Sequence, residues 1–311
     1  MRREKRVSLL TSHFSRIFPP AIAQPGKAPM TTTVYFNGKY LPKDEVRVSP
    51  EDRGFVFGDG VYEVIRSYQG TLFALDAHLA RMRSGVCELA INGADVDALG
   101  EVSAELVRRN NLTSGDATVY LQITRGTAPR AHFFPDPPVP PTVYAQAGRF
   151  TPKGDPVKGI VTITVPDIRW ARCDIKTVQL LPNCLANQRA RASGAQEALF
   201  VRDGVVLEGS HSSLFFVFGE EVRTAPKSNY ILPSITRDIV LELCRTSGIA
   251  AREAPVFTHE LPRATEAFLA GTTVEVMPIV RVDGLGLGDG KPGSVTRRLQ
   301  ELFRARIPKA G

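Results

Sequence analysis

The chain has 311 residues, enough to bury a core without disulfides, because chains of this size bury roughly three-quarters of the surface that they expose when unfolded. Its cysteines, Cys87, Cys173, Cys184 and Cys244, lie far apart without CxxC or Cys/His spacing, so we expect free, buried thiols, no metal site and a reducing, cytoplasmic setting. The formal net charge is +7, but five of these positive charges precede Met30. The remainder is nearly balanced, which gives no reason to expect nucleic acid, and no apolar run is long enough to span a membrane.

Residues 1–29 combine a basic start with a short apolar patch that Ser, Thr, His and Arg interrupt. Such a patch is poor for the apolar region of a signal peptide, although an Ala-Ile-Ala follows it. We predict a disordered extension with Met30 as the natural initiator. A targeting peptide is the alternative.

The first half of the body alternates hairpins and helices. Hairpins are predicted at Asn37-Gly38 and Gln69-Gly70, because these dipeptides favour tight turns between apolar, alternating runs. A helix follows the second hairpin, and residues 95–110 form another. Strands are predicted at residues 117–126 and 141–148, separated by a Pro-rich run at 133–141.

The second half repeats this mixture after a turn at residues 151–159. We predict strands at 161–167 and 266–273, a hairpin at Asp203-Gly204, and helices over 183–194, 234–248 and 294–307. The whole predicts a mixed α+β or α/β fold. It divides into a small domain over residues 30–150 and a larger one over residues 153–311, with the Pro/Gly segment around residue 152 as the connector.

Lys176 is unusual because it lies between Ile175 and Val178, in a segment that is typical of buried strand and turn. Burying an ammonium is costly, and a lysine in such surroundings lowers its pKa and becomes a nucleophile. That reactivity suits a Schiff base with a carbonyl cofactor. The alternative is a lysine at a strand edge that reaches water or pairs with Asp174.

Three further features suit a phosphorylated heterocycle. Glu208 ends an apolar strand, where its carboxylate could hold a ring nitrogen protonated, or it could be an exposed turn residue. The helix that opens at Ser234 or Thr236 presents free amides to a phosphate, as any capped helix does. Thr272, in a Gly-Thr-Thr run, and Arg81 could add further phosphate ligands.

Arg130 and His132 occupy alternate positions in a loop before aromatic residues and proline, where they could clamp a carboxylate or simply be solvated. An amine, a carboxylate, a phosphate-binding helix and a carboxylate clamp are together what pyridoxal phosphate needs to act on an amino acid. Their conjunction favours the functional interpretation of each.

Several motifs, in this order and spacing, make the chain similar to a known family from Val34 to Ile307. They are EDRGFVFGDGVYEVIRSYQG, HLAR, QITRGTAPRAHFFP, DIRWARCDIKTVQLLPN, VLEGSHSSLF, ILPSITRD and AGTTVEVMPI. They resemble the fold-type IV pyridoxal-phosphate enzymes, and specifically the bacterial D-amino-acid aminotransferases. The resemblance implies a two-domain α/β fold with the cofactor at the domain interface.

The resemblance also implies a role for each matched residue. Lys176 would form the Schiff base and move the substrate Cα proton, and Glu208 would pair with the pyridine nitrogen. The implied phosphate ligands are Arg81, Ile235, Thr236 and Thr272. The implied substrate-carboxylate ligands are Tyr62, Arg130 and His132, of which the last two arrive from the neighbouring subunit of a homodimer.

The implied reaction is ping-pong transamination of a D-amino acid with a 2-oxo acid. The RxH pair discriminates within the superfamily, since its side of the cofactor decides which hand of amino acid fits. A branched-chain L-amino-acid or R-amine aminotransferase, or an aminodeoxychorismate lyase, remains the alternative. His211 and Ser213 depart from the serine and asparagine that are more usual there, which leaves the substrate preference open.

Overall fold

The computed structural model describes residues 32–308 of the chain. The extension expected for residues 1–29 therefore lies outside the described residues. From Thr32 onward they form one compact unit with two β-sheets, and the division into domains 30–150 and 153–311 stays a prediction. None of the helices within residues 32–308 is long and apolar enough to cross a membrane.

The first sheet has six strands in the order β2-β1-β6-β5-β3-β4, and every neighbouring pair is antiparallel. Its strands are β1 (Thr33–Phe36), β2 (Lys39–Pro42), β3 (Gly60–Tyr68), β4 (Thr71–Leu72), β5 (Asp116–Thr124) and β6 (Thr142–Arg149). Both predicted hairpin turns are present. The residues Asn37-Gly38 and Gln69-Gly70 all have positive φ, as tight hairpin turns require.

Three helices accompany this sheet: α1 (Arg53–Phe57), α2 (Leu75–Glu88) and α3 (Ala98–Arg109). Apolar residues three or four positions apart on α2 and α3 face β3 and β5 and form the first core. Ile175, from a loop far along the chain, also packs into this core. That contact fixes the position of the residue after it, Lys176.

The second sheet has ten strands, β7 to β16, in the order β12-β11-β10-β14-β15-β7-β8-β9-β13, with β16 paired to β15. They are β7 (Ile160–Pro166), β8 (Glu197–Arg202), β9 (Val205–Gly209), β10 (Ser213–Phe218), β11 (Glu221–Thr224), β12 (Ala251–Glu253), β13 (Val256–Phe257), β14 (Glu266–Gly271), β15 (Glu275–Val282) and β16 (Leu285–Gly286). One residue pair, Ser213 with Glu208, also joins β10 to β9. Six of the strands therefore close into a ring.

Three helices pack outside the ring: α4 (Leu181–Ala192), α5 (Ile235–Thr246) and α6 (Ser294–Arg306). Helices α5 and α6 cover β10, β14 and β15, where Phe215 and Phe268 stack with ring centroids 4.8 Å apart. Helix α4 covers β7 and β8. A separate apolar cluster that includes Leu199, Leu214 and Leu269 packs among the strands.

Two expectations about burial are wrong. The segment around Lys176 is a loop with one isolated β-bridge, between Thr177 and Val61, and the lysine is half-buried. Local turns use the backbone there instead, since the amides of Thr177 and Leu180 donate to the carbonyls two residues before them at 2.8 and 2.9 Å. All four cysteines are free, but Cys87 and Cys184 are exposed, because they lie on helix faces turned away from the cores.

Candidate active site

A cavity of about 820 Å³ lies where β3, the Lys176 loop, the end of β9 and the turn after β14 meet. Five predicted site residues line it: Tyr62, Arg81, Lys176, Glu208 and Thr272. Its volume is within the range of small-molecule and cofactor sites. The structure thus brings together residues that are up to 210 positions apart in the sequence.

Backbone hydrogen bonds hold the Lys176 loop against the start of β3. The amide of Tyr62 donates to the carbonyl of Lys176 at 3.0 Å, and the amide of Val178 donates to the carbonyl of Gly60 at 3.1 Å. With Ile175 and Thr177 buried on either side, the lysine side chain is left to face the cavity. The amine therefore sits on a rigid support rather than on a free loop.

The Lys176 Nζ lies 4.3 Å from the centroid of the Tyr62 ring, and that ring stacks on Tyr120 with centroids 5.7 Å apart. The Tyr120 hydroxyl donates to Gln122 at 2.6 Å. Burial, together with neighbouring tyrosines, raises the pKa of Tyr120 to about 12, so it stays a neutral donor. Tyr62 is thus fixed from behind, with its face toward the amine.

Glu208 is a buried carboxylate at the wall of the cavity, 6% exposed. Its Oε1 accepts from Arg169 Nη1 at 2.5 Å, and its Oε2 accepts from the amide of Leu232 at 3.2 Å. Burial raises the pKa of Glu208, and the adjacent Arg169 guanidinium opposes that rise. Oε2 keeps capacity for one more donor, which is the arrangement that a protonated ring nitrogen needs.

Arg169 is itself held by Asp167, whose oxygens lie 2.9 Å from its Nε and 3.1 Å from its Nη2. Its guanidinium also lies 4.1 Å from the Phe200 ring centroid. Sequence reasoning missed Arg169. The available signal was the Asp-x-Arg pair that follows directly on β7, since alternate positions place both side chains on the same side of the chain.

Another part of the cavity wall is built from the start of α5 and from Arg81 on α2. Ser234 caps α5 by accepting from the amide of Arg237 at 3.2 Å, and Arg81 Nη1 donates to the carbonyl of Pro233 at 3.1 Å. The cavity reaches Ser234 but not Ile235 or Thr236. The first amides of a helix have no acceptor within the helix, so those of Ile235 and Thr236 suit an anion.

Arg81 is oriented by Glu63, a fully buried carboxylate on β3. The Nε and Nη2 of Arg81 donate to the two carboxylate oxygens of Glu63 at 2.6 and 2.8 Å, and His78 Nδ1 lies 2.8 Å from Glu63 Oε2. Burial alone would raise the pKa of Glu63, but Arg81 and the His78 hydrogen bond lower it to about 2. Sequence reasoning missed this carboxylate too, although a glutamate inside an apolar strand beside Tyr62 is a signal for a buried ion pair.

The remaining predicted residues lie outside the cavity of this chain. Arg130 and His132 are exposed, and both approach Phe57: the guanidinium carbon is 5.3 Å, and the imidazole centroid 5.8 Å, from the centroid of its ring. Phe57 lines the cavity, whereas Arg130 and His132 do not. Phe55, two positions before Phe57, and Phe133 and Phe134, which follow His132, are more than half exposed.

The chain matches known proteins over most of its length. A family model described as amino-transferase class IV matches residues 60–282. D-alanine aminotransferases of Staphylococcus haemolyticus and Bacillus licheniformis are 41% and 40% identical, and these matches cover 89% and 88% of this chain and 98% and 96% of those proteins. The chain therefore belongs to the class IV aminotransferase family.

Solved structures agree with the fold. The branched-chain amino acid aminotransferase of Escherichia coli matches with a TM-score of 0.82 at 25% identity, over 88% of this chain and 94% of that one. A branched-chain amino acid aminotransferase from T.th., in complex with N-(5'-phosphopyridoxyl)-L-glutamate, matches with a TM-score of 0.80 at 28% identity, over 90% and 96%. The predicted α/β fold class is confirmed, as is the resemblance that the motifs indicated.

Proposed function

We propose that the chain is a pyridoxal-phosphate-dependent aminotransferase that moves the amino group of a D-amino acid onto a 2-oxo acid, of the type D-alanine plus 2-oxoglutarate to pyruvate plus D-glutamate. The observation that carries this proposal is that Lys176, Tyr62 and Glu208 line one cavity, with the lysine amine 4.3 Å from the centroid of the tyrosine ring. The identity of about 40% to D-alanine aminotransferases, higher than that to the branched-chain structures, supports the D-amino acid.

The lining residues fit the cofactor at each of its ends. Glu208 has an oxygen for a ring N–H, and the start of α5 with Arg81 and Thr272 offers donors to a phosphate. Lys176 supplies the amine in the same cavity. When bound, pyridoxal phosphate supplies an aldehyde that condenses with amines and a ring that accepts the electron pair left on Cα.

The chain's own residues then have separable tasks. The Lys176 Nζ would take up and give back the proton of the substrate Cα, because it is the one lysine that lines the cavity among the described residues. Glu208 keeps the ring nitrogen protonated through a carboxylate that Arg169 holds in place. Tyr62 limits the directions in which the amine can move.

We propose that a homodimer completes the site. The Arg130 and His132 side chains would clamp the α-carboxylate in the cavity of a partner subunit, since they do not reach the cavity of their own. The exposed Phe55, Phe133 and Phe134 beside them would be covered in that dimer. We also propose a cytoplasmic enzyme, as the widely spaced, free cysteines suggest.

The similarity to branched-chain enzymes favours one second candidate, transamination of branched-chain L-amino acids. A donor panel separates the two candidates. Purified protein loaded with cofactor is mixed with D-alanine, D-glutamate, L-leucine or L-valine, and the loss of its yellow colour is followed. Our proposal expects the D-amino acids to bleach it, whereas bleaching by L-leucine alone overturns the proposal.

Two variants test the assigned roles. Lys176→Ala should abolish the yellow colour of the lysine-bound cofactor and all turnover. Arg130→Ala should raise KM for D-alanine far more than it lowers kcat, because it removes a carboxylate ligand. An unchanged KM would refute the clamp but leave the role of Lys176 standing.

A further inference from the structure

His211 is a cavity residue to which the proposed function gives no task. It follows β9 in a short turn, lines the cavity, and has 47% of its side chain exposed. Its Nδ1 lies 2.9 Å from Glu197 Oε2 and 3.1 Å from Ser210 Oγ. One nitrogen of the ring is therefore fixed against the wall, and the rest of the ring remains in the cavity.

The side-chain carboxylate of Glu197, on β8, is kept ionised by the hydrogen bonds that it accepts. It is 1% exposed, and its Oε1 accepts from the amide of Ala198 at 2.8 Å and from the amide and hydroxyl of Ser210 at 3.1 and 2.5 Å. Burial raises the pKa of Glu197, but His211 and these hydrogen bonds lower it below its ordinary value. A carboxylate oxygen only accepts, so Nδ1 of His211 carries a hydrogen and donates to it.

Because Nδ1 of His211 is already hydrogen-bonded to Glu197, any contact of the ring with a ligand depends on Nε2. Nε2 has no hydrogen-bond partner among residues 32–308 and accepts or donates according to the charge of the ring. Burial lowers the pKa of His211, yet the hydrogen bond and charge of Glu197 raise it overall, while Lys153 and Lys176 oppose the rise. These are the charged groups that act on the imidazole.

The arginine and lysine side chains at the cavity wall already have partners or an assigned role. Arg81 is bidentate to Glu63, Arg169 is bound to Asp167 and Glu208, and Lys176 is assigned to the cofactor. Among the described lining residues, His211 is thus the remaining cationic donor that a substrate side chain can use. A group seated at Nε2 would also experience the positive Lys153 and Lys176.

We propose that His211 is a specificity-determining residue whose imidazolium Nε2–H binds the side-chain carboxylate of an acidic substrate. This inference rests on the proposed function and deepens it. It predicts a preference for D-glutamate over D-glutamine, which has the same shape without the charge. The preference should be strongest while the ring is protonated and should fade as the pH rises and Nε2 becomes an acceptor.

The kinetic test uses His211→Gln, which replaces the imidazole with an amide of similar length that cannot titrate. The measured quantity is the ratio of kcat/KM for D-glutamate to that for D-glutamine, from about pH 6 to pH 9, the range in which a histidine titrates. Loss of a charge-assisted hydrogen bond should lower this ratio by at least about tenfold at the acidic end and flatten its pH dependence. His259→Gln is the matched control, because it removes an exposed histidine outside the cavity and should leave the ratio unchanged.

A second readout does not depend on turnover. The chain has five histidines, so the proton NMR titration of His211 can be assigned by its absence in His211→Gln. Glutarate, an unreactive diacid, should raise the titration midpoint of His211 in the cofactor-loaded protein, whereas butyrate should not, since a bound carboxylate favours the protonated ring. If His211→Gln fails to fold, a second variant without the imidazole, His211→Asn, assigns the His211 signal instead, and the glutarate shift is still measured on the native chain.

The outcomes separate the two proposals. If D-amino acids bleach the cofactor but His211→Gln keeps the wild-type ratio and its pH dependence, the role of His211 is overturned and the aminotransferase stands. If glutarate leaves the His211 titration unchanged, the role is likewise overturned. If no D-amino acid reacts but glutarate shifts the titration, the proposed function fails while diacid binding at His211 is supported.

Discussion

Replacing Glu63 with glutamine tests whether the arginine of the proposed phosphate site depends on a buried carboxylate for its support. Glu63 is fully buried and accepts two hydrogen bonds from Arg81 and one from His78. Glutamine preserves the volume but directs an NH₂ group at donors. Arg81 would then be a nearly buried guanidinium without its counter-charge.

The pKa shift of Glu63 and the usual cost of breaking a buried ion pair give similar losses in the free energy of unfolding for Glu63→Gln. The pKa of Glu63 falls from 4.5 to about 2, and at about 1.4 kcal/mol per unit this difference contributes about 3 kcal/mol to the free energy of unfolding at neutral pH. Removing one partner of a buried ion pair costs about 3–5 kcal/mol. The melting temperature should therefore fall by roughly 5–10 °C.

The pH dependence supplies the sharper test. The unfolded chain protonates Glu63 near pH 4.5, while the folded chain holds the carboxylate ionised down to about pH 2. The contribution of Glu63 is thus complete above pH 4.5 and is lost as the pH falls from there toward 2. The gap in urea midpoint between wild type and Glu63→Gln should be largest at pH 7 and should narrow through this window.

Glu105→Gln is the matched control, because Glu105 pairs with Arg108 and Arg109 on the surface of α3 and its pKa is also lowered to about 2. Solvent and salt screen such a pair, so its loss should change the urea midpoint far less. Equal midpoints for wild type and Glu63→Gln at pH 7 would refute the argument. A gap that stays constant from pH 7 to the acid end would refute it equally.

Further predictions concern the site wall and the loop support. Arg169→Gln should move the acidic limb of the pH–rate profile to higher pH, because the pKa of Glu208 is already raised by burial and would lose the guanidinium that opposes the rise; an unmoved limb would contradict this. Gly126→Ala should lower the free energy of unfolding by about 2–4 kcal/mol, since φ is +95° and a Cβ would collide with the carbonyl oxygen of Pro140. Gly194→Ala, at φ +75° with nothing near its Cβ, should cost only about 1 kcal/mol in denaturant unfolding, and equal losses for the two would refute the collision.

Local sequence signals predicted most elements because each depends on neighbours in the chain. The turns at Asn37-Gly38 and Gln69-Gly70 need only positive φ at adjacent residues, and α5 is capped by Ser234, one of the two predicted openings of that helix. Ring closure through Ser213 and Glu208 could not be predicted in this way. It is a single long-range pair, and no local pattern specifies which strands meet.

The same limit applies to the site. Lys176 and Glu208 could be singled out from the sequence because each is an ionisable residue beside apolar residues in the chain. The ion pairs at the cavity wall could not be predicted, since Arg169 reaches Glu208 and Arg81 reaches Glu63 only after β3, α2 and β9 have been placed by their cores. The loop at Lys176 was mistaken for strand because Ile175 and Val178 are equally typical of a strand and of a loop packed on a core.

Glu208, the carboxylate proposed to bind the cofactor, pairs with Ser213 where β9 meets β10. This pair, here called the seam, closes the ring of the second sheet. Any fluctuation that parts β9 from β10 would also remove Glu208 from its ligand. A ligand bound to Glu208 therefore opposes that opening, and it stabilises the protein by an amount that grows with the logarithm of its concentration above the dissociation constant. Backbone amides of β9 and β10 near this seam should exchange with deuterium more slowly when cofactor is added. The cofactor would then stabilise the closed ring of the second sheet as well as take part in the reaction.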